Sequence, residues 1–233
     1  MERTTASRDP LRVAETQVYV PSCDDRHDRE ADAHGPRLQS EGMEASARIV
    51  EAMRRSVAAR GAAGSTFDQV AREAGVSRGL LHYHFGTKER LLAEVVRRDA
   101  EIRLEHLGRE LAGAETVDDV IARLLHTLED LVERDPGFVA LRFELFTSGR
   151  RNPEIAAEFA ALQQATRSHV ADLLAAKERE GVVRLADAPE AVAAVLLSLA
   201  DGLALSLLGE PEHDHRATLG AATAAARALF AEP

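Results

Sequence analysis

From Met43 onward, apolar residues return every three or four positions, the spacing that buries one face of an α-helix. Glycine or proline interrupts the pattern at Gly61, Gly75, Gly86, Pro136, Pro153, Gly181, Pro189 and Pro211. The pattern predicts nine helices, near 44–60, 67–74, 78–84, 87–110, 117–134, 136–148, 153–180, 188–208 and 214–231. Period-two alternation over five or more residues is absent, and Ala, Leu, Arg and Glu, all good helix formers, dominate. The expected fold class is therefore all-α.

Residues 1–42 break this regularity. Pro10, Pro21, Gly35, Pro36 and Gly42 interrupt them, and their longest apolar cluster is Val18-Tyr19-Val20. Such a stretch buries too little apolar surface to offset the entropy of ordering, so a disordered N-terminal extension is expected over 1–42. Its Cys23, Asp24, Asp25, His27 and Asp28 have metal-ligand chemistry but no element to fix their geometry, so no metal site is assigned there. Met43 opens the periodic part and is an alternative start of the same reading frame.

Composition narrows the class. The chain has 233 residues, of which 45% are hydrophobic, enough for a substantial core. No secretory apolar run stands at the N-terminus and no long uninterrupted apolar window is present, so a cytoplasmic protein with no membrane segment is expected. A single cysteine excludes an internal disulfide and a multi-cysteine zinc site. No cofactor motif is found. The net charge of −10 argues against nucleic acid until it is resolved along the chain. Residues 1–42 carry 6 Arg and 9 Asp/Glu, residues 43–98 carry 10 Lys/Arg and 6 Asp/Glu, and residues 99–233 carry 13 Lys/Arg and 24 Asp/Glu. One short basic zone lies inside an acidic protein.

That zone holds the most informative local pattern. Thr66 and Gln69 form a T-x-x-Q capping box that starts a helix with Val70, Ala71 and Ala74 on its inner face. Gly75 can take positive φ and turn the chain, and Ser77 caps the next helix. Two short helices joined by a glycine-containing turn match a helix-turn-helix unit. In the second helix Leu80, Leu81 and Phe85 can pack inward, leaving Arg78, Gly79, His82, Tyr83 and His84 outward or at the ends. A guanidinium, a close-approach glycine and ring donors suit base edges and phosphate oxygens. Lys88 follows at the start of a long helix, where N–H groups and dipole favour a phosphate; the only other lysine is Lys177. The competing reading is a tight three-helix packing unit with a solvated face. His82 and His84 lie about 200° apart around a helix and cannot share a metal ion.

From Arg48 to Val96, RIVEAMRRSVAARGAAGSTFDQVAREAGVSRGLLHYHFGTKERLLAEVV closely resembles the N-terminal domain of TetR-type transcriptional regulators. The match runs from Arg60-Gly61 through Thr66-Phe67, Val70-Ala71 and Ala74 to Gly79, then Leu81, Tyr83-His84-Phe85 and Thr87-Lys88-Glu89. His82 departs from it, standing where the family usually has Tyr. The resemblance implies a DNA-binding domain over 43–103, with its helix-turn-helix at 66–85, and an effector-binding and dimerisation domain over 104–233. It also implies a homodimer on near-palindromic double-stranded operator DNA. The DNA-binding residues it implies are Thr66, Arg78, Gly79, His82, Tyr83, His84 and Lys88, with Arg78 and His82 nearest bases and the others mainly at phosphates.

The acidic remainder is read from its own pattern. Helix 117–134 has an apolar face from Val120 to Val132, with His126 opposite. Segment 138–148 is apolar around most of its circumference yet contains Arg142, which needs either an internal carboxylate or an acidic effector. Helix 153–180 carries Ile155, Phe159, Leu162, Val170 and Leu173 on a stripe holding Thr166, with Gln163 and His169 at its edges. An apolar wall with few polar groups suits a small-molecule pocket and equally an ordinary core. The effector-pocket candidates are Arg142, Phe143, Phe146, Gln163, Thr166 and His169. With no Trp and only Tyr19 and Tyr83, an aromatic cage for a quaternary ammonium is not expected. The helices near 188–208 and 214–231 read as the dimer interface; the first is taken as too short, and too interrupted by Asp201-Gly202, to span a membrane. Asp201 reads as an interface or helix-end group, and His213-Asp214-His215 as a solvated turn.

The expected function is a sequence-specific transcriptional regulator, not an enzyme, acting as a repressor that an unknown small-molecule effector releases from its operator. The rivals are an all-α binding protein or enzyme with a vestigial DNA reader, and an architectural DNA-binding protein.

Overall fold

The computed structural model describes residues 35–231. Among them are nine helices, α1 (Gly35–Gly64), α2 (Phe67–Ala74), α3 (Arg78–Phe85), α4 (Lys88–Ala112), α5 (Val117–Arg134), α6 (Pro136–Gly149), α7 (Pro153–Arg179), α8 (Pro189–Gly209) and α9 (Arg216–Arg227). Two short strands, β1 (Arg184–Leu185) and β2 (Phe230–Ala231), pair antiparallel with Leu185 opposite Phe230.

Two boundaries differ from the sequence pattern. α1 begins at Gly35, inside the segment expected to be unstructured. Pro36 is compatible with this, since a first-turn proline loses no intrahelical hydrogen bond. The rest of the expected extension, with Cys23, the acidic cluster and His27, lies outside the described residues. At the other end α9 stops at Arg227, and Phe230 turns inward, 6% exposed, to pair with β1. Periodicity could not foresee a strand two residues long. At Gly61 (φ 70°, ψ 168°) the helical path of α1 breaks.

The helix caps follow the local chemistry. Thr66 accepts from the Gln69 N–H while the Gln69 side chain returns to the Thr66 backbone. Gly75, at φ 67° and ψ 35°, ends α2 in the left-handed region, which costs a residue without Cβ little. Ser77 and Thr87 cap α3 and α4.

Packing joins these elements around α4. Its first half buries Leu91, Leu92, Val95 and Val96 with Ile49 and Met53 of α1, Val70 of α2 and Leu81 of α3; the same cluster includes Phe138, Leu141 and Leu145 of α6 and Ile155 of α7. Its second half places Leu107 and Leu111 with Val120 and Ile121 of α5, Val170 and Leu174 of α7, and Val192 of α8. Lys177, 5% exposed, fixes the far end of α4 by donating to the Ala112 and Ala114 carbonyls at 3.1 and 3.3 Å and to Glu180 at 2.7 Å. A cation there complements the negative end of the α4 dipole.

α8 corrects one expectation. Its 21 residues, with a window of mean hydropathy 2.1, are long and apolar enough to cross a membrane by length and composition alone. One face nevertheless packs in the core through Val192, Ala193 and Ala204, and Asp201 is ion-paired.

Candidate nucleic-acid interface and ligand cavity

The sequence-predicted reading residues come from three consecutive elements. Thr66 is the N-cap of α2; Arg78, Gly79, His82, Tyr83 and His84 lie along α3; Lys88 is the first residue of α4. Only Leu81 of α3 is fully buried, so the helix lies on the domain by one edge. Tyr83 is 83% exposed, the most exposed large hydrophobic residue among the described residues. An aromatic ring held this far into water gains nothing from folding and is free to meet another surface.

Arg78 and His82 are held differently. Arg78 forms an ion pair with Asp68 of α2 at 3.2 Å, and its Nε lies 3.5 Å from His82 Nε2. His82 Nδ1 lies 3.0 Å from the Gly86 carbonyl, to which it can donate, and its ring meets Phe67 edge-on at 4.8 Å. Both ring nitrogens therefore face partners inside the domain. In this arrangement His82 braces the end of α3 against α2, whereas the Tyr83 hydroxyl makes no hydrogen bond among the described residues. The His84 ring stacks edge-on to Tyr83 at 5.5 Å, and its buried Nε2 finds no partner among the described residues. Phe67 and Asp68, which hold His82 and Arg78, were not among the predicted site residues; their place in the first turn of α2 was the available signal.

A cavity of about 190 Å³ lies among α4 to α9. Leu104 and Leu107 of α4, Leu124 and Leu128 of α5, Phe138 and Val139 of α6, Leu162 and Val170 of α7, Leu196 and Leu203 of α8, and Ala222 and Ala226 of α9 are among its apolar wall. Its polar members are Arg103, Thr127, Arg142, Thr166 and Asp201.

Of the six pocket candidates, Arg142 and Thr166 are on this wall. Arg142 donates to both Asp201 oxygens, at 2.7 and 3.1 Å, and to Gln163 Oε1 at 2.9 Å. Gln163 thus stands behind the wall, orienting the guanidinium. Phe143 packs beside Leu128, Val139 and Ala204. Two candidates need correcting: Phe146 is 53% exposed against Phe159, and His169 is exposed, so neither faces the cavity. α6 is apolar around most of its circumference, so periodicity could not choose its inner side. Asp201, read as an interface or helix-end group, is instead the partner of Arg142.

Arg103 was missed. It lines the cavity, pairs with Asp135, the α6 N-cap, and lies 4.6 Å above the Phe138 ring. In sequence it reads as one more charge on the solvated side of a long helix. Its partner is 32 residues away, and no local pattern reports such a pair.

Asp99, one turn earlier on α4, is 8% exposed, and burial raises its carboxyl pKa above the usual range against the opposing pull of Arg54. Among the described residues no group of three metal-ligating side chains comes together. Asp214 pairs with Arg216 at 2.7 Å, which holds its carboxyl below the usual range.

Two sequence families match the chain. "Bacterial regulatory proteins, tetR family" covers residues 49–95, and "BetI-type transcriptional repressor, C-terminal" covers 117–231. Among curated proteins, the HTH-type transcriptional regulator UidR of Escherichia coli is 27% identical over 120 residues, 52% of this chain and 59% of UidR. The match therefore spans little more than half of that relative. The HTH-type transcriptional regulator BetI of Agrobacterium fabrum is 39% identical over 62 residues, 27% of this chain and 30% of BetI. Among solved structures, a TetR-family regulator from Mesorhizobium loti superimposes with a TM-score of 0.65 at 19% identity, over 82% of this chain and 98% of that one, a likeness of fold.

Proposed function

The chain belongs to the TetR family of transcriptional regulators, and from that premise we propose that it is a dimeric, sequence-specific DNA-binding repressor released by a small molecule. The observation that carries this reading is the exposed α3, with Tyr83 standing clear of the domain, on a core continuous through α4 with the cavity wall. The α3 face would enter the major groove, Tyr83 and Arg78 toward the bases and Thr66, His84 and Lys88 toward phosphates.

Dimerisation has a candidate surface. α8 exposes Ala191, Val195, Ser198, Gly202 and Leu205 at helical spacing, and α9 buries none of its residues. Small side chains let helices approach closely, and pairing these two helices with a second copy would cover an apolar face that the described residues leave in water. Two recognition helices would then meet half-sites about 34 Å apart.

Effector action follows from position. α4 starts at Lys88 beneath the reader and carries Arg103, Leu104 and Leu107 on the cavity wall. A ligand that favours mis-spaced recognition helices shifts the population off DNA; a hundredfold loss of affinity needs a differential of only about 2.7 kcal/mol. The relatives carry regulator names, so the protein is read as a non-enzyme acting in the cytoplasm.

Selection of bound fragments from random DNA tests the reading. A palindromic consensus is expected. No enrichment would instead indicate a binding protein or enzyme with a vestigial reader, and binding without preference an architectural protein.

A further inference from the structure

We propose that the cavity takes a neutral, largely apolar molecule, about one substituted ring in size, whose single hydroxyl or carbonyl group is received by Thr166, and that it rejects cations and anions alike. This rests on the reading of the cavity as the effector site.

Volume sets the size. An apolar cavity of roughly 150 Å³ accommodates benzene. At about 190 Å³ this one has room for a ring with a short substituent.

The pairing of its charges sets the class. Among the described residues the only carboxylate on the wall, Asp201, has both oxygens held by Arg142. Among the described residues the only aromatic ring on the wall, Phe138, already has the Arg103 guanidinium 4.6 Å over its face. A cation therefore meets neither a free carboxylate nor an open π-face, the two features that offset its desolvation. An anion fares no better. The charge of Arg142 is matched by Asp201 and that of Arg103 by Asp135. The buried Arg103 Nε makes no hydrogen bond among the described residues, but a carboxylate drawn to it would bring a negative charge with no cation left to balance it into an apolar wall.

Hydrogen-bonding capacity remains at two places, the buried Arg103 Nε, which can only donate, and the threonines. Thr127 donates its hydroxyl to the Arg123 carbonyl at 2.8 Å. Thr166, half-buried on the α7 part of the wall, makes no such bond among the described residues and can donate to a carbonyl or accept from a hydroxyl.

Calorimetric titration of the full chain without DNA tests this, using acetophenone, toluene, benzoate and benzyltrimethylammonium as probes. Acetophenone should bind at least about tenfold more tightly than either ion and roughly fivefold more tightly than toluene. Thr166→Val, nearly isosteric, should erase the advantage over toluene while leaving toluene binding unchanged; Thr166→Ser should keep it. Either ion binding as tightly as acetophenone would overturn the proposal. So would failure of acetophenone to bind at millimolar concentration, or Thr166→Val leaving its advantage intact. Binding in the expected order that does not release an operator fragment upholds the ligand class and removes the effector role. A failed fragment selection removes the regulator reading without altering the titration.

Discussion

The reading face and the cavity wall are built from opposite materials. One stretch of chain, Thr66 to Lys88, supplies every side chain proposed to meet DNA. The cavity draws on six helices between Ala100 and Ala226. Apart from the buried Nε2 of His84, polar groups on the reading face stand in or near water, where leaving a hydrogen bond unmade costs little. Charged groups on the cavity wall are paired with residues 32 and 59 positions away, because in an apolar setting an unpaired charge costs several kcal/mol. The local face is free to vary its chemistry. The assembled one must balance its charges before it can admit a ligand.

The contrast can be broken most forcefully at Leu81. It is fully buried in the cluster that also holds Phe138, Leu141 and Ile155. Leu81→Ala should cost about 2–5 kcal/mol in urea unfolding, in one transition that includes the cavity helices. Two separated transitions would mean that reader and sensor do not share a core.

Next in size is the Arg142–Asp201 pair, whose side chains are 18% and 34% exposed. Asp201→Leu leaves a guanidinium without its carboxylate and should destabilise by about 1–3 kcal/mol, less than for a fully buried pair because water still reaches it. Adding Arg142→Met should restore most of the loss. If the double variant is no better than the single, the penalty is not one of unpaired charge.

Tyr83→Ala separates binding from folding. Operator affinity should fall about tenfold while unfolding free energy changes by less than about 0.5 kcal/mol. A comparable drop in stability would show that Tyr83 packs within the chain. Lys88→Ala should weaken binding to all sequences about equally and flatten the salt dependence by roughly one unit of slope. A changed sequence preference would move Lys88 from phosphate to base.

The smallest effect belongs to Asp99. Burial raises its pKa in the folded chain, so the folded state holds its proton more tightly than the unfolded state. That contribution is full below the unfolded carboxylate range and is lost as pH rises through the folded pKa. Asp99→Asn should therefore be more stable than the parent at neutral pH, and the advantage should shrink on acidification. Thermal melts at several pH values in that range check this; an advantage that grows on acidification contradicts it.

Helix boundaries were legible where their causes are local. The Thr66–Gln69 capping box, Gly75, Ser77, and the prolines at 136, 153 and 189 act on the chain within a turn of themselves. α6 shows where legibility ended. With most of its circumference apolar, its spacing could not say that Arg142 would face the cavity and Phe146 the solvent. His82 teaches the same lesson in the reader, since its contact with the Gly86 carbonyl is local but Phe67 meets it only after α2 has folded onto α3.

The sequence by itself determined the all-α class, the helix order, the basic reader within an acidic chain and the family likeness, because each rests on neighbours or on short repeats. Tertiary structure alone decided that the charges of Arg103 and Arg142 are both matched, that Thr166 on the same wall makes no hydrogen bond among the described residues, and that the described residues leave one face of α8 uncovered. Burial and pairing depend on which surfaces meet, and helices of similar periodicity can meet in many ways.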